Sequence, residues 1–164
     1  MRLTVLLFLL FAGCGYHLSG GSLPEDVRLL NVPLAVNKTS EPLLENVLAA
    51  PLTAVLARQK AVELVESASG SEAVLQAIIT DYNVEPTSYD SNDRISVYTA
   101  TIVVHFSLSQ QKDGKILWQG ELQRQETYVA AVDKNQQEDL ESVAIESMAK
   151  NIADDLLYRL ITRF

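Results

Sequence analysis

The fold of this chain is decided by an alternating stretch, Tyr98-Thr99-Ala100-Thr101-Ile102-Val103-Val104-His105-Phe106-Ser107-Leu108. Its even-numbered positions are all apolar, and its odd-numbered positions are mostly polar. A period of two is typical of a β-strand that is buried on one face and exposed on the other. The stretch therefore predicts a long strand over Arg94 to Gln110, with its even-numbered side chains facing the core.

A turn at Gln111 to Lys115 leads into a second alternating strand, Ile116 to Val129. A loop of three residues would place Leu108 opposite Trp118 and give the hairpin one apolar face and one polar face. A loop of two residues would mix apolar and polar side chains on both faces. Because a slip of one residue moves every side chain to the other face, the pattern favours the three-residue loop. We expect Gly114 in the left-handed conformation, as a G1 bulge.

The polar face of this hairpin is unusually regular. Its residues include Thr99, Thr101, His105, Gln119, Glu121, Gln123 and Gln125. One interpretation is the solvated face of an antiparallel sheet that is covered on one side only, and the sequence alone favours it. The other is a contact surface that remains soluble but fits against another polar wall. These seven residues are therefore candidates for contact with a partner.

The flanking sequence predicts the remaining elements. Toward the N-terminus we expect a strand over 27–36 with Pro33 at an edge or an end, a helix with Ser40 as its N-cap, a short strand over 61–65, a strand over 73–84 and a polar hairpin loop over 85–93. Toward the C-terminus, a link over 130–136 precedes a long helix over 137–161. The predicted fold is an α+β two-layer sandwich, with two helices on one face of a mixed, mostly antiparallel sheet of about four strands.

The N-terminal segment predicts a lipid anchor. A positive residue and a short apolar run, Arg2 to Phe11, precede Ala-Gly and then Cys14, the one cysteine of the chain. The run is too short to span a bilayer, and its ending is typical of a bacterial lipobox, in which the cysteine receives lipid. We therefore expect residues 1–13 to be a removed signal peptide, 14–22 a lipidated cysteine and tether, and 23–164 a single domain.

Composition and motifs exclude several classes of function. The net charge of -8 is unfavourable for a nucleic-acid partner, and none is expected. The sequence contains no Gly-x-Ser-x-Gly motif, no phosphate-binding glycine loop and no cluster with metal-ligand spacing. We therefore expect a protein that is not an enzyme and that has no cofactor beyond the covalent lipid on Cys14.

The start of the expected mature chain resembles a known family. Cys14-Gly15-Tyr16-His17-Leu18 is similar to the Cys-Gly-aromatic-His-Leu start of the LptE family of lipopolysaccharide-assembly lipoproteins. The order of the predicted elements and the entry from Tyr98-Thr99-Ala100 into the alternating strand also resemble that family. The resemblance implies a lipid-anchored protein in the periplasmic leaflet of the outer membrane. It would plug the β-barrel LptD, assist the assembly of that barrel and bind lipopolysaccharide.

The resemblance also implies a lipopolysaccharide site. Phosphates require cations, and Arg94 and Lys134 lie at the same end of the predicted hairpin. By its place just before the last helix, Lys134 resembles a basic residue that the family uses for lipopolysaccharide, and Arg94 corresponds more loosely. Two alternatives remain open: these cations are solvated loop residues, or the protein is a periplasm-facing scaffold of another envelope complex with no glycolipid ligand.

Overall fold

The computed structural model describes residues 27–163. Its elements are β1 (Leu29–Asn31), β2 (Val36–Asn37), α1 (Leu44–Ala57), β3 (Glu63–Val65), β4 (Ala73–Tyr89), β5 (Ile95–Gln110), β6 (Ile116–Val129) and α2 (Lys134–Arg163), with one 3₁₀ turn at Ala68–Gly70. The strands form a single sheet in the order β3-β1-β4-β5-β6, and β2 also pairs with β4. The α+β class and the two helices are confirmed, but the sheet has six strands rather than about four.

The sheet is mixed because its N-terminal strands are parallel to their neighbours. β1 pairs in parallel with β3 and β4, and β2 pairs in parallel with β4, whereas β4, β5 and β6 are antiparallel. The single strand predicted over 27–36 is divided into β1 and β2, and Pro33 lies in the break between them. Pro33 therefore marks the end of a strand and not an edge, since β1 lies between two other strands.

β4 is longer than predicted. It continues to Tyr89, so most of the expected loop over 85–93 is strand, and Pro86 pairs with Tyr98 of β5. On the side of β4 opposite β5, the described partners are β1 and β2, and their pairing ends at Ile79. Beyond that point β4 is an edge, where a proline that lacks an N–H group is tolerated.

The predicted register of the β5–β6 hairpin is confirmed, but its loop was wrong. Leu108 lies opposite Trp118, as expected. The loop has four residues, 111–114, and is closed by the Gln110 N–H, which donates to the Lys115 carbonyl at 2.8 Å. Ser109 pairs with Ile116, so the extra residue of the strand is Leu117, and the bulge lies there rather than at the glycine. Gly114 does adopt the left-handed conformation, with φ +70°.

Both helices begin at positions other than those predicted. The Asn37 side chain organises the turn before α1: it accepts from the Thr39 N–H at 3.0 Å and donates to the Glu41 carbonyl at 2.8 Å. The helix therefore begins at Leu44, and Ser40 is not its N-cap. α2 begins at Lys134, earlier than predicted, because Asp133 accepts a hydrogen bond from the Gln136 N–H at 3.0 Å.

The core lies between the two helices and one face of the sheet. Its largest fully buried side chains are Leu30, Leu44, Leu48, Leu56, Leu75, Ile79, Ile102, Leu108, Leu122, Met148, Ile152 and Leu156. On β5, the even-numbered residues from Ala100 to Leu108 are buried, whereas the odd-numbered residues between them are half-buried or exposed. The helices therefore cover one face of the three long strands and leave the opposite face open.

The hairpin loop provides a test of backbone strain. Gly114→Ala should lower the free energy of unfolding by about 1 kcal/mol, because an L side chain is disfavoured at this φ while the space around it is open. Gly70→Ala is a matched control, since its surroundings are equally open and its φ is not positive. Urea denaturation of both variants measures the difference. Equal effects at the two positions would contradict the assignment of strain to Gly114.

Candidate functional site

The open side of the sheet, here called the outer face, is formed by outward-facing residues of three strands. They are Val74, Gln76, Ile78, Asp81, Asn83 and Glu85 of β4; Val97, Thr99, Thr101, Val103, His105, Ser107 and Ser109 of β5; and Gln119, Glu121, Gln123, Gln125, Thr127 and Val129 of β6. All seven residues predicted as partner contacts lie on this face. The alternating pattern therefore identified the members of the face on β5 and β6.

The register arranges these residues in rows across the strands. Thr101 lies opposite Gln125, and His105 lies opposite Glu121, as follows from the predicted pairing of Leu108 with Trp118. In the second pair, His105 Nε2 lies 2.8 Å from Glu121 Oε2, and the side chains are 49% and 54% exposed. This pair is a polar cross-strand contact at a surface that the rest of the described chain does not cover.

A shallow depression of about 420 Å³ lies beside this pair. It is lined by Gln76, Ile78, His105, Phe106, Ser107, Gln119, Gly120 and Glu121. The contribution of Gln76 and Ile78 was not identified from the sequence. The sequence did contain a signal for them. The inward-facing apolar residues of β4 are odd-numbered up to Ile79 and even-numbered from Tyr82, and this change marks a β-bulge. The position of that bulge fixes the register of β4 against β5.

The two predicted lipopolysaccharide cations lie at the far end of the sheet, away from the 111–114 loop. The Ala130 N–H donates to the Ser96 carbonyl at 2.9 Å, which brings the end of β6 beside the start of β5. Arg94 precedes β5, and Lys134 is the first residue of α2. We call this end, with residues 89–95 and 129–134, the tip. The structure therefore places Arg94 and Lys134 at the same end, as the sequence predicted.

The tip also carries carboxylates, which were not part of the prediction from the sequence. Lys134 Nζ lies 3.3 Å from Glu138 Oε1, one helical turn away, and its side chain is 87% exposed. Asp90 accepts hydrogen bonds from the backbone N–H groups of Asn92 and Arg94. Asp93 and Asp133 lie in the same turns. Both cations of the tip are therefore accessible, but they lie among a larger number of carboxylates.

α2 is fixed to β6 by polar contacts on the covered side of the sheet and along its edge. Arg124 lies on the helix-facing side of β6 and forms an ion pair with Asp155 of α2. Arg159 Nη1 donates to the Glu121 carbonyl at 3.1 Å. These contacts hold the helix beside the strand that carries Glu121.

A tyrosine cluster fixes the N-terminal part of α2 to the sheet. The Tyr82 hydroxyl donates to Glu141 Oε1 at 2.6 Å, and the rings of Tyr98 and Tyr128 stack with centroids 5.6 Å apart. Burial, together with the Glu141 carboxylate, raises the pKa of Tyr82 well above its ordinary value. Burial raises the pKa of Tyr128 to about 12. The hydrogen bond from the Tyr82 hydroxyl to Glu141 therefore fixes the first half of the helix that begins at Lys134 to the sheet.

The expected lipid-attachment residue Cys14 and the tether after it lie outside the described residues. Among the helices in the part of the chain that the structure describes, none combines the length and apolar character needed to cross a membrane.

The tyrosine cluster predicts a pH dependence. A pKa that is raised on folding means that the protonated tyrosine stabilises the folded state below about pH 10, and that this stability decreases as the pH rises further. Tyr82→Phe should lower the free energy of unfolding at pH 7 by about 1–2 kcal/mol. Between pH 10 and 11 the variant should lose less stability than the wild-type protein does, because it lacks the Tyr82 hydroxyl that ionises on unfolding. Denaturation followed by circular dichroism from pH 7 to 11 measures both. The exposed Tyr158→Phe is the control, and an equal effect there would contradict the role of the cluster.

Comparisons with solved structures show that this fold occurs in several bacterial lipoproteins. The uncharacterized lipoprotein B of Nitrosomonas europaea is 14% identical, with a TM-score of 0.62, over 91% of this chain and 90% of that one. The rare lipoprotein B of Shewanella oneidensis is 14% identical, with a TM-score of 0.55, over 83% and 96%. A minor lipoprotein of Acinetobacter baumannii is 14% identical, with a TM-score of 0.53, over 87% and 95%. At such identities these similarities show the fold alone.

Sequence comparison establishes the family. No curated protein sequence matches the chain. The model of the LptE family, described as lipopolysaccharide-assembly, matches residues 28–160, from the residue before β1 to the last turn of α2. The matched range covers almost all of the residues that the structure describes. The chain therefore belongs to the LptE lipopolysaccharide-assembly family.

Proposed function

We propose that this chain is an outer-membrane lipoprotein that plugs the LptD β-barrel, assists its assembly and binds lipopolysaccharide during delivery to the cell surface. Lipid on Cys14 anchors it in the periplasmic leaflet. The proposal assigns it no catalytic reaction. The observation that carries the proposal is the outer face, a broad polar surface left open on a domain of the LptE family.

The outer face has the chemistry that a barrel plug requires. Large membrane β-barrels are polar inside, because their apolar residues face the lipid. Along β6, the residues Gln119, Glu121, Gln123, Gln125 and Thr127 are all exposed and can form hydrogen bonds to such a wall. An apolar face of this size would make the free protein prone to aggregation before the complex forms. The polar face supports a domain that folds in the periplasm and then fits a polar lumen.

The tip supports lipopolysaccharide binding. Phosphate groups form short charge-assisted hydrogen bonds with guanidinium and ammonium groups. Arg94 and Lys134 are the cations of the tip, and both are exposed. The expected ligand therefore approaches the tip end of the sheet, and the outer face remains free for the barrel.

The carboxylates of the tip favour a second candidate function. Asp90, Asp93, Asp133 and Glu138 outnumber the two cations, and Lys134 is already paired with Glu138. This balance weakens attraction to a phosphorylated ligand. The alternative is a periplasm-facing scaffold of another envelope complex that has no glycolipid ligand.

The double variant Arg94→Asp, Lys134→Asp separates the two functions. Under the proposal, its affinity for purified lipopolysaccharide should fall by at least about a hundredfold, because each of the two charge-assisted contacts contributes roughly 1.5–3 kcal/mol. The remaining binding should also lose its dependence on salt. Isothermal titration calorimetry at two salt concentrations measures both quantities.

A matched control is available at the other end of the hairpin. Lys112→Asp, Lys115→Asp makes the same change in net charge at the 111–114 loop, and its binding should change by no more than about twofold. Unchanged binding of the tip variant, or an equal loss in both variants, would contradict the assignment of Arg94 and Lys134.

A single neutralisation tests the ion pair of the tip. Glu138→Gln should raise the affinity for lipopolysaccharide by about two- to threefold, since an exposed ion pair of this kind is worth about 0.2–1 kcal/mol and Lys134 is released from it. The same titration measures the change. Glu146→Gln, an exposed position further along α2, is the control, and an equal gain there would show a general effect of net charge.

A further inference from the structure

The outer face carries three carboxylates and neither lysine nor arginine. Among its residues, all of which the structure describes, the carboxylates are those of Asp81, Glu85 and Glu121, and the one basic side chain is His105, which contacts Glu121. Arg124, the one arginine of β4, β5 and β6, lies on the opposite side with Asp155. The outer face is therefore a polar surface with a negative potential.

The depression on this face is suited to a single cationic side chain. Its lining combines an aliphatic side chain, Ile78, with the amides of Gln76 and Gln119 and the carboxylate of Glu121. One oxygen of Glu121, Oε2, contacts His105. No hydrogen bond or ion pair within residues 27–163 engages the second oxygen, Oε1. The depression has a volume of about 420 Å³, which is large enough to hold one arginine side chain.

We propose that the partner wall which meets the outer face presents arginine, and that one arginine side chain occupies this depression. Its guanidinium donates to Glu121 Oε1 and to the amide oxygens of the rim, and its methylene stem packs on Ile78. This inference rests on the proposed function, because it describes the chemistry of the barrel wall at that contact. It assigns to Glu121 the role of the central charged contact of the outer face.

Other occupants fit this surface less well. A phosphate or a lipopolysaccharide headgroup is repelled by the three carboxylates, because the face has no lysine or arginine to offset them. An acyl chain would leave the Glu121 carboxylate and two amides without partners. A second copy of this chain would bring two negative faces together. Charge complementarity therefore favours a cationic partner surface.

The experiment uses the full-length lipidated protein in outer membranes. The photoreactive residue p-benzoylphenylalanine replaces Gln123, the next outward-facing residue of β6 after Glu121, so that every residue lining the depression is kept, and irradiation crosslinks it to whatever lies there. Mass spectrometry of the crosslinked peptide identifies the partner segment. The expected result is a segment of a β-barrel protein with an arginine within two residues of the crosslinked position. A crosslink to lipid, to a second copy of the chain, or to a segment without arginine would overturn the inference.

Charge reversal adds a quantitative test in the same crosslinking background. Glu121→Arg should reduce the yield of the barrel crosslink by at least about tenfold, because it places like charges together in the depression. Asp154→Arg makes the same charge change at an exposed position of α2 and should alter the yield by less than about twofold. Thermal unfolding of both variants confirms that they fold.

The outcomes separate this inference from the proposed function. If no barrel protein is recovered with the photoreactive chain that keeps Glu121, the proposed function fails. If the barrel is recovered but Glu121→Arg retains its crosslink, or loses it no more than Asp154→Arg does, the inference about arginine fails alone.

Discussion

The register of β5 between its two antiparallel neighbours is the constraint on which the rest of the structure depends. Because side chains alternate along a strand, the pairing that buries Ile102 and Leu108 under the helices also directs Thr101 and His105 outward. A slip of β5 by one residue would expose its core side chains, bury His105 and separate it from Glu121. Stability and the composition of the outer face are therefore set by the same hydrogen-bond ladder.

The long-range pairing of β5 with β6 could be predicted because it follows from a pattern repeated over many residues. The errors arise where a single local interaction decides the outcome. The bulge at Leu117 adds one residue to the strand, and the four-residue loop removes one pair, so the two errors offset each other and leave the predicted register intact. Likewise, the hydrogen bonds of the Asn37 side chain override the capping preference of Ser40. Such competitions between neighbouring polar residues leave no periodic signal.

The candidate site was predictable to the extent that it depends on strand alternation. The pair His105 and Glu121 follows from the register, whereas Gln76 and Ile78 require the bulge in β4 to be placed first. The position of Arg94 and Lys134 at one end follows from antiparallel topology. Their electrostatic surroundings do not, because the contact of Lys134 with Glu138 requires α2 to begin before its predicted start. The structure thus separates a polar, negatively charged face from a tip where both signs of charge meet.

We infer that this open face serves one β-barrel partner. The most direct measurement is purification of the full-length lipidated chain from detergent-solubilised outer membranes, followed by mass spectrometry of the intact assembly. We expect a stoichiometric complex of this chain with a barrel of the LptD family. Recovery of the chain alone, or with an envelope complex that contains no such barrel, would contradict it.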